Sequence, residues 1–275
     1  MKTVGIIGLG LIGGSLGLAL KESGKYRILG YDRNSLHCEE ATKLGLVDEV
    51  VPFDEIEKVD ILFLAIPVDG IVEVLHQLKN PKEDITIIDM GSTKAKIVQS
   101  IPKRLRRNFI PAHPMAGTEK SGPSASMKSL YRDRVVVLCD LEESGEKQIQ
   151  DAKEIFNLLE MKIIYMNSIE HDTHTAWISH LPHAISFSLA NSVLAQENRE
   201  SILNLSAGGF RDMSRLAKSS PKMWRDIFHQ NRDNILSSIS YFQSELEQFR
   251  LLIEEERWDE LEKKMKEANR LHEIL

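Results

Sequence analysis

The sequence predicts an α/β chain: a doubly wound, mainly parallel sheet over residues 1–167, followed by an all-helical region over residues 168–275. Three observations predict it. Short apolar runs rich in β-branched residues recur through the first part with amphipathic stretches between them, the pattern of strands buried on both faces alternating with helices. The runs vanish beyond residue 168, where apolar residues repeat by threes and fours. A cluster of glycines directly follows the first run, where a strand would hand over to a helix.

The first strand is expected at Thr3–Ile7, at the start of a charge-free stretch of seventeen residues, Val4–Leu20. A secretion signal would need a basic front and a small-residue cleavage site, whereas Lys2 alone precedes the run and Lys21-Glu22 ends it. A membrane helix would need about 20 apolar residues, and the six glycines here would each cost a helix interior roughly 1 kcal/mol. The glycines instead fit G-x-G-x-x-G as Gly8-Leu9-Gly10-Leu11-Ile12-Gly13. In that pattern the first glycine permits a tight turn and the second lets the backbone approach a pyrophosphate. The third lets helix lie on strand, and the helix N-terminus faces the phosphates. The second strand, Arg27–Tyr31, ends at Asp32, 24 residues after Gly8, where a carboxylate would meet an adenosine ribose 2′-hydroxyl. Strand, glycines, helix and acid together predict a Rossmann-type dinucleotide site. Asp32 favours NAD, because the 2′-phosphate of NADP would face a like charge; Arg33 beside it is placed to stack on adenine or to soften that preference.

The remaining strands are expected at Asp60–Ile66, Ile85–Asp89, Phe109–Ala112, Val135–Cys139 and Ile163–Met166, with amphipathic helices such as Ser35–Leu44 and Glu146–Leu159 between runs. In the helical region Ile235, Ile239, Phe242, Leu246, Phe249 and Ile253 form one apolar seam, and Trp258, Leu261, Met265 and Ala268 form a second. Seams this long need partners, so the helical region is expected to join two subunits as well as to pack on itself.

Composition bounds the function. A chain of 275 residues, 42% hydrophobic and 28% charged, is long enough for two domains of an ordinary globular protein. Its formal charge of −6 and the lack of any basic block beyond Lys103–Arg107 argue against a nucleic-acid surface, so an anionic ligand must be met by a few placed cations. Cys38 and Cys139 suit neither a disulfide framework nor a zinc pair, and a reducing cytoplasm is expected.

Two stretches leave the carboxyl ends of strands, where open α/β sheets bind ligands: Asp89-Met90-Gly91-Ser92-Thr93-Lys94, and the run from Ala112 through His113 and Pro114 to Gly122. His113 is the candidate base, since an imidazole with an ordinary pKa of ~6.5 suits proton transfer at neutral pH. Ser92 is a candidate to hydrogen-bond His113 and fix its tautomer, or to cap a helix. In the helical region, Pro182 interrupts Ser179-His180-Leu181-Pro182-His183, and Arg211 and Arg215 follow the pair Gly208-Gly209. Either arginine could hold a carboxylate in the two-pronged geometry that lysine cannot copy, or serve a structural ion pair with Asp212 or Asp226. On a straight helix His171 and His180 point to opposite sides, so the histidines at 171, 174, 180 and 183 are not expected to hold a metal.

Taken together, GLGLIGGS, the YDR strand end, LAIPV (Leu64–Val68), DMGSTK, AHPMAGTEKSG, HLPH and AGGFRDMSRLAKSSPKMWRDI resemble the prephenate dehydrogenase family, in consistent order over nearly the whole chain. The resemblance implies a dinucleotide domain followed by a helical dimerisation domain, and oxidative decarboxylation of prephenate to 4-hydroxyphenylpyruvate with NAD reduced to NADH. It implies that His113 is the catalytic histidine and Ser92 its hydroxyl partner. His183, Gly208 and Arg215 fall at substrate positions, with Thr118, Glu119 and Ser179 in the same motifs as further candidates. Leu11 and Ile12 within the glycine motif, and Ile66 and Pro67 in LAIPV, are expected beside the cofactor with Gly8, Gly10, Gly13, Asp32 and Arg33. No segment resembling a chorismate mutase precedes the glycine loop, and none resembling a regulatory domain follows the last helix. The nearest rival expectation is the same chemistry on arogenate. A 3-hydroxyacid dehydrogenase would want a catalytic lysine, for which Lys218 and Lys222 lack a supporting motif, and an NAD-sensing regulator would want a DNA-reading module.

Overall fold

The protein is described here by a computed structural model covering residues 1–274; Leu275, the last residue of the expected helical region, lies outside the described residues. Eight strands, β1 (Lys2–Ile7), β2 (Tyr26–Tyr31), β3 (Glu49–Val50), β4 (Ile61–Leu64), β5 (Thr86–Asp89), β6 (Phe109–Pro114), β7 (Val135–Cys139) and β8 (Lys162–Met166), form one sheet. Its order is β3-β2-β1-β4-β5-β6-β7-β8. Pairing is parallel throughout except between β6 and β7, where His113 lies opposite Val137. The chain winds outward in one direction from β1 to β3 and in the other from β4 onward. The carboxyl ends of β1 and β4 therefore flank the reversal point, where such sheets open a ligand crevice.

Helices α1 (Leu11–Glu22), α2 (Ser35–Lys43), α3 (Phe53–Ile56), α4 (Val68–Gln77), α5 (Ala95–Gln99) and α6 (Glu146–Leu158) connect the strands. The central strands β4, β5 and β6 are buried along their whole length, which is why they read as continuous apolar runs. Two clusters make the core: Leu16, Leu20, Ile28, Phe63, Ile110, Val136 and Phe156 belong to one, Leu62, Leu64, Ile71, Leu75, Ile87 and Phe109 to the other.

After β8 come α7 (Ser168–Thr175), a π-helical turn over Ala176–His180, α8 (Leu181–Leu194), α9 (Arg199–Asn204), α10 (Gly208–Ser214), a 3₁₀ turn over Arg215–Lys218, and α11 (Pro221–Gln230). Trp224 and Ile227 of α11 join the second core cluster beside Val68, Ile71 and Val74 of α4, and Gln230 Nε2 donates to Asp69 Oδ1 at 2.6 Å. This packing places α7 to α11 in the same compact unit as the sheet, Met1–Asn231. The strand-to-helix change falls between Met166 and Ser168, ahead of the limit of that unit. A second unit begins at Arg232 and holds α12 (Arg232–Glu254) and α13 (Trp258–Asn269), joined through a turn in which Glu256 has φ 55°. Within it Lys264 Nζ lies 2.7 Å from Glu245 Oε2. Leu246 and Ile253 of the expected first seam, and Trp258 and Met265 of the second, are exposed on the single chain.

Candidate active site

The glycine motif folds as its spacing predicts. Gly8 adopts φ +98°, and a Cβ there would fall 2.3 Å from the Ala65 carbonyl oxygen at the end of β4. A Cβ on Gly13 would fall 1.8 Å from the Gly8 carbonyl oxygen, so α1 can approach β1 only without one. At Gly10 the same Cβ would meet open space, the side on which a ligand's phosphates could approach the backbone. Gly10 is also the N-cap of α1 and supplies no side chain to the helix, which leaves first-turn N–H groups at Leu11 and Ile12 for an anion. Asp32 stands where the second strand ends: its Oδ2 accepts the Leu9 N–H at 2.9 Å and its Oδ1 the Asn34 N–H at 2.9 Å. His37 Nδ1 lies 3.2 Å from Asp32 Oδ2, while the exposed Arg33 pairs loosely with Glu73. Ile66 sits against the glycine turn, its Cγ2 2.7 Å from a Cβ built on Gly8, and Pro67 caps α4.

His113 is buried on β6 just short of the strand's end. The segment that follows is docked on α1, where Met127 N–H donates to Ser15 Oγ at 2.9 Å and the Tyr131 hydroxyl to the Ile12 carbonyl at 2.6 Å. The stretch after His113 is thus tied to the helix that starts at the glycine motif. Beneath His113, the wholly buried Lys94 is paired with Asp89 and donates to the Ala112 carbonyl at 2.7 Å, while Asp89 Oδ1 accepts the Ala112 N–H at 3.0 Å. Burial pushes the His113 imidazole well below its ordinary range, and the neighbouring His171, Lys94 and His180 push the same way.

The tautomer-fixing contact differs from the expectation. No hydrogen bond joins Ser92 to His113 among the described residues; His113 Nδ1 instead lies 2.8 Å from His171 Nε2. His171 Nδ1 lies 2.8 Å from Asp172 Oδ1, and the Asp172 carboxylate also accepts the N–H groups of Lys94 at 2.8 Å and Ala95 at 2.9 Å. Ser92 is not a helix cap either, since α5 begins at Ala95 and Asp172 takes its first N–H groups. The straight-helix premise for the histidines also fails. A π-helical turn at Ala176–His180 shifts the phase between α7 and α8, and His171 and His180 are both buried toward His113, with Asn231 Nδ2 bridging the Asp172 carbonyl and His180 Nδ1.

Of the substrate candidates, the structure brings two together from distant segments. Arg215 Nη1 donates to Glu119 Oε2 at 3.2 Å, so its ion pair is with neither Asp212 nor Asp226; Asp226 pairs with Arg225. The Glu119 carboxyl is held below the usual range by its own backbone N–H and by Arg215. His183 Nδ1 donates to the Ser179 carbonyl at 2.9 Å, and its ring stacks on Trp224 with centroids 3.5 Å apart. Burial lowers its pKa. Gly208 begins α10, which carries the exposed Arg211, and Thr118 is exposed on the loop after His113. The sequence marked the stretch from Asp89 to Lys94 without giving those two residues a role, and it did not place His171, Asp172 or Asn231 near His113; the signal for His171 and His180 was the histidine spacing itself.

Residues 16–165 match the family model described as prephenate dehydrogenase, nucleotide-binding domain, and residues 167–267 match that described as prephenate dehydrogenase, dimerization domain. The chain belongs to the prephenate dehydrogenase family. Among prephenate dehydrogenases it is 34% identical over 277 residues to that of Bacillus subtilis, covering 97% of this chain and 74% of the relative. The crystal structure of prephenate dehydrogenase from A. aeolicus in complex with hydroxyphenyl propionate and NAD+ superposes with a TM-score of 0.93 at 35% identity, over 100% of this chain and 99% of that one. The Synechocystis arogenate dehydrogenase structure superposes at 0.81 with 28% identity, over 99% of each chain.

Proposed function

We propose that the protein is an NAD-dependent prephenate dehydrogenase that oxidises and decarboxylates prephenate to 4-hydroxyphenylpyruvate in tyrosine biosynthesis. The observation that carries the reading is His113, a buried imidazole beside the carboxyl end of β6 that burial keeps unprotonated at neutral pH. Family membership selects the reaction, and the residues make it physically coherent. The glycine turn, the open face at Gly10 and the Asp32 carboxylate fit a dinucleotide with a free ribose 2′-hydroxyl. NAD bound there supplies the hydride acceptor for the ring carbon that bears the hydroxyl.

His113 takes the proton of that hydroxyl as the carbon–oxygen double bond forms, a contribution typically worth ~10²–10⁴-fold. The resulting ring ketone is a vinylogous β-keto acid, and loss of its carboxylate restores aromaticity, which makes the reaction effectively irreversible. Arg215 is the proposed fork for a substrate carboxylate, with His183, Ser179, Thr118, Glu119 and Gly208 around it. Ser92, three residues past the end of β5, the strand next to β6, is proposed as the hydroxyl partner of His113 on its Nε2 side, shared with the substrate hydroxyl, when substrate is present. Gly8, Gly10, Leu11, Ile12, Gly13, Asp32, Arg33, Ile66 and Pro67 are the proposed cofactor contacts. No metal is required.

Residues 1–167 are proposed as the dinucleotide domain and residues 168–275 as the substrate-binding and dimerisation domain. A cytoplasmic homodimer is supported by the dimerization-domain match, the two free cysteines and the seams left exposed on one chain. No helix among the described residues is long and apolar enough to cross a membrane. Light scattering that returned the 31.2 kDa of one chain would contradict the dimer. The reaction itself is tested by following NADH or NADPH formation with prephenate and arogenate crossed with NAD and NADP. Turnover is expected with prephenate and NAD. Turnover only with arogenate, or only with NADP, would overturn the substrate or cofactor assignment respectively.

A further inference from the structure

Resting on the reading of His113 as the base, we infer that His171 and Asp172 form a positioning relay that holds His113 in the one tautomer able to accept the substrate proton. The geometry assigns each hydrogen. Asp172 already accepts from the Lys94 and Ala95 N–H groups, so it acts as an acceptor toward His171 as well, and His171 Nδ1 carries the proton in their 2.8 Å contact. His171 Nε2 is then a lone pair, and the 2.8 Å contact to His113 Nδ1 requires that His113 donate. The proton of neutral His113 thus sits on Nδ1, and Nε2 is the basic nitrogen. Among the described residues His113 Nε2 makes no hydrogen bond, and it is not one of the sealed, unpartnered buried nitrogens there, which are His180 Nε2 and Trp224 Nε1.

The relay also acts during the reaction. When Nε2 takes the substrate's hydroxyl proton, His113 becomes an imidazolium that keeps its Nδ1 hydrogen, and its bond to His171 becomes charge-assisted, with the Asp172 carboxylate behind it. Three elements are needed to build this. Asp172 is held on α7 and anchored by the first N–H groups of α5, Thr175 Oγ1 donates to the His171 carbonyl at 2.9 Å, and Asn231 donates to the Asp172 carbonyl at 2.6 Å. His171 touches neither substrate nor cofactor in this account; it works only through His113.

The test uses His171→Phe and His171→Gln, each made in the parent and in a His113→Asn background. The amide oxygen of Gln can accept the His113 Nδ1 hydrogen; Phe cannot. In the parent, Phe should lower kcat about 10- to 100-fold, less than removing the base itself, with KM for prephenate and Kd for NAD within about twofold. Gln should restore most of that loss. In the His113→Asn background Phe should lower kcat no further, because the residue it acts through is gone. An equal loss in both backgrounds marks a purely structural role and overturns the relay, as does unchanged kcat for Phe where His113→Asn is inactive. If His113→Asn itself keeps its kcat, the reading of His113 as base falls and takes the relay with it. Nitrogen-15 NMR of the parent needs no variant: His113 protonated on Nδ1 supports the relay, and protonation on Nε2 refutes it.

Discussion

Lys94 is a fully buried lysine whose ammonium is used up by Asp89 and the Ala112 carbonyl. Its role follows from where those partners lie: both fix the backbone of β6 at the residue before His113, so a charge pair under the sheet end sets the height of that imidazole. A buried pair is weak evidence for stability, but removing one member leaves the other without its counter-charge. Lys94→Met should therefore lower the unfolding free energy by about 3 kcal/mol, because the Asp89 carboxyl, already pushed up by burial, must become neutral in place. Urea unfolding checks this, and a loss below about 1 kcal/mol would show that the pair is dispensable. At this scale the sequence was informative where a residue's role is local. Gly8, Gly13 and Asp32 were legible because turn, close approach and strand end all lie within one βαβ unit. The partner of His113 was not, because His171 lies 58 residues away and only folding brings it there.

At the scale of elements, the strands were legible because the central ones are buried on both faces, whereas the two-residue β3 is too short to leave a pattern and the antiparallel turn of β7 leaves none. The π-helical turn between α7 and α8 was hidden for another reason: it inserts a phase shift into a segment whose period still reads as helix. That shift is what buries His171 and His180 together, and it has a measurable consequence. Burial lowers the pKa of His171 and His183, and that of His180 to about 4. Between the unfolded value of ~6.5 and the folded value, the unfolded chain binds more protons than the folded one, so stability rises with pH across that window. It is fully present above about pH 6.5 and falls as the pH drops toward 4, with His180 alone contributing roughly 3 kcal/mol to the total change. Carboxylates such as Asp60, held down to about 2, act only at lower pH. The urea midpoint should thus be clearly lower at about pH 5 than at about pH 7, and less so in His180→Asn. Equal midpoints in the parent at the two pH values would contradict the burial of these rings as neutral groups.

The whole molecule joins two kinds of sequence pattern into one working unit. The sheet presents the glycine turn and His113 at its carboxyl edge, and α7 to α11 close against that sheet through Trp224, Ile227 and Gln230, bringing Asp172, His183 and Arg215 into the same compact unit. The break in composition near residue 168 was visible in the sequence. That the helices following it would pack with the sheet was not, because α11 reads as an amphipathic helix whichever surface it covers. The α12 and α13 unit carries apolar residues exposed on the single chain, the surface proposed above for a second copy. Proton removal by His113 in an NAD-linked oxidation is the central proposal, and the most direct measurement compares the parent with His113→Asn. With prephenate and NAD, the parent should release NADH and carbon dioxide in equal amounts, while the variant should lose at least ~10²-fold in kcat and keep its affinity for NAD and its fold. A folded His113→Asn protein that turns prephenate over at nearly the parental rate at neutral pH would contradict the account.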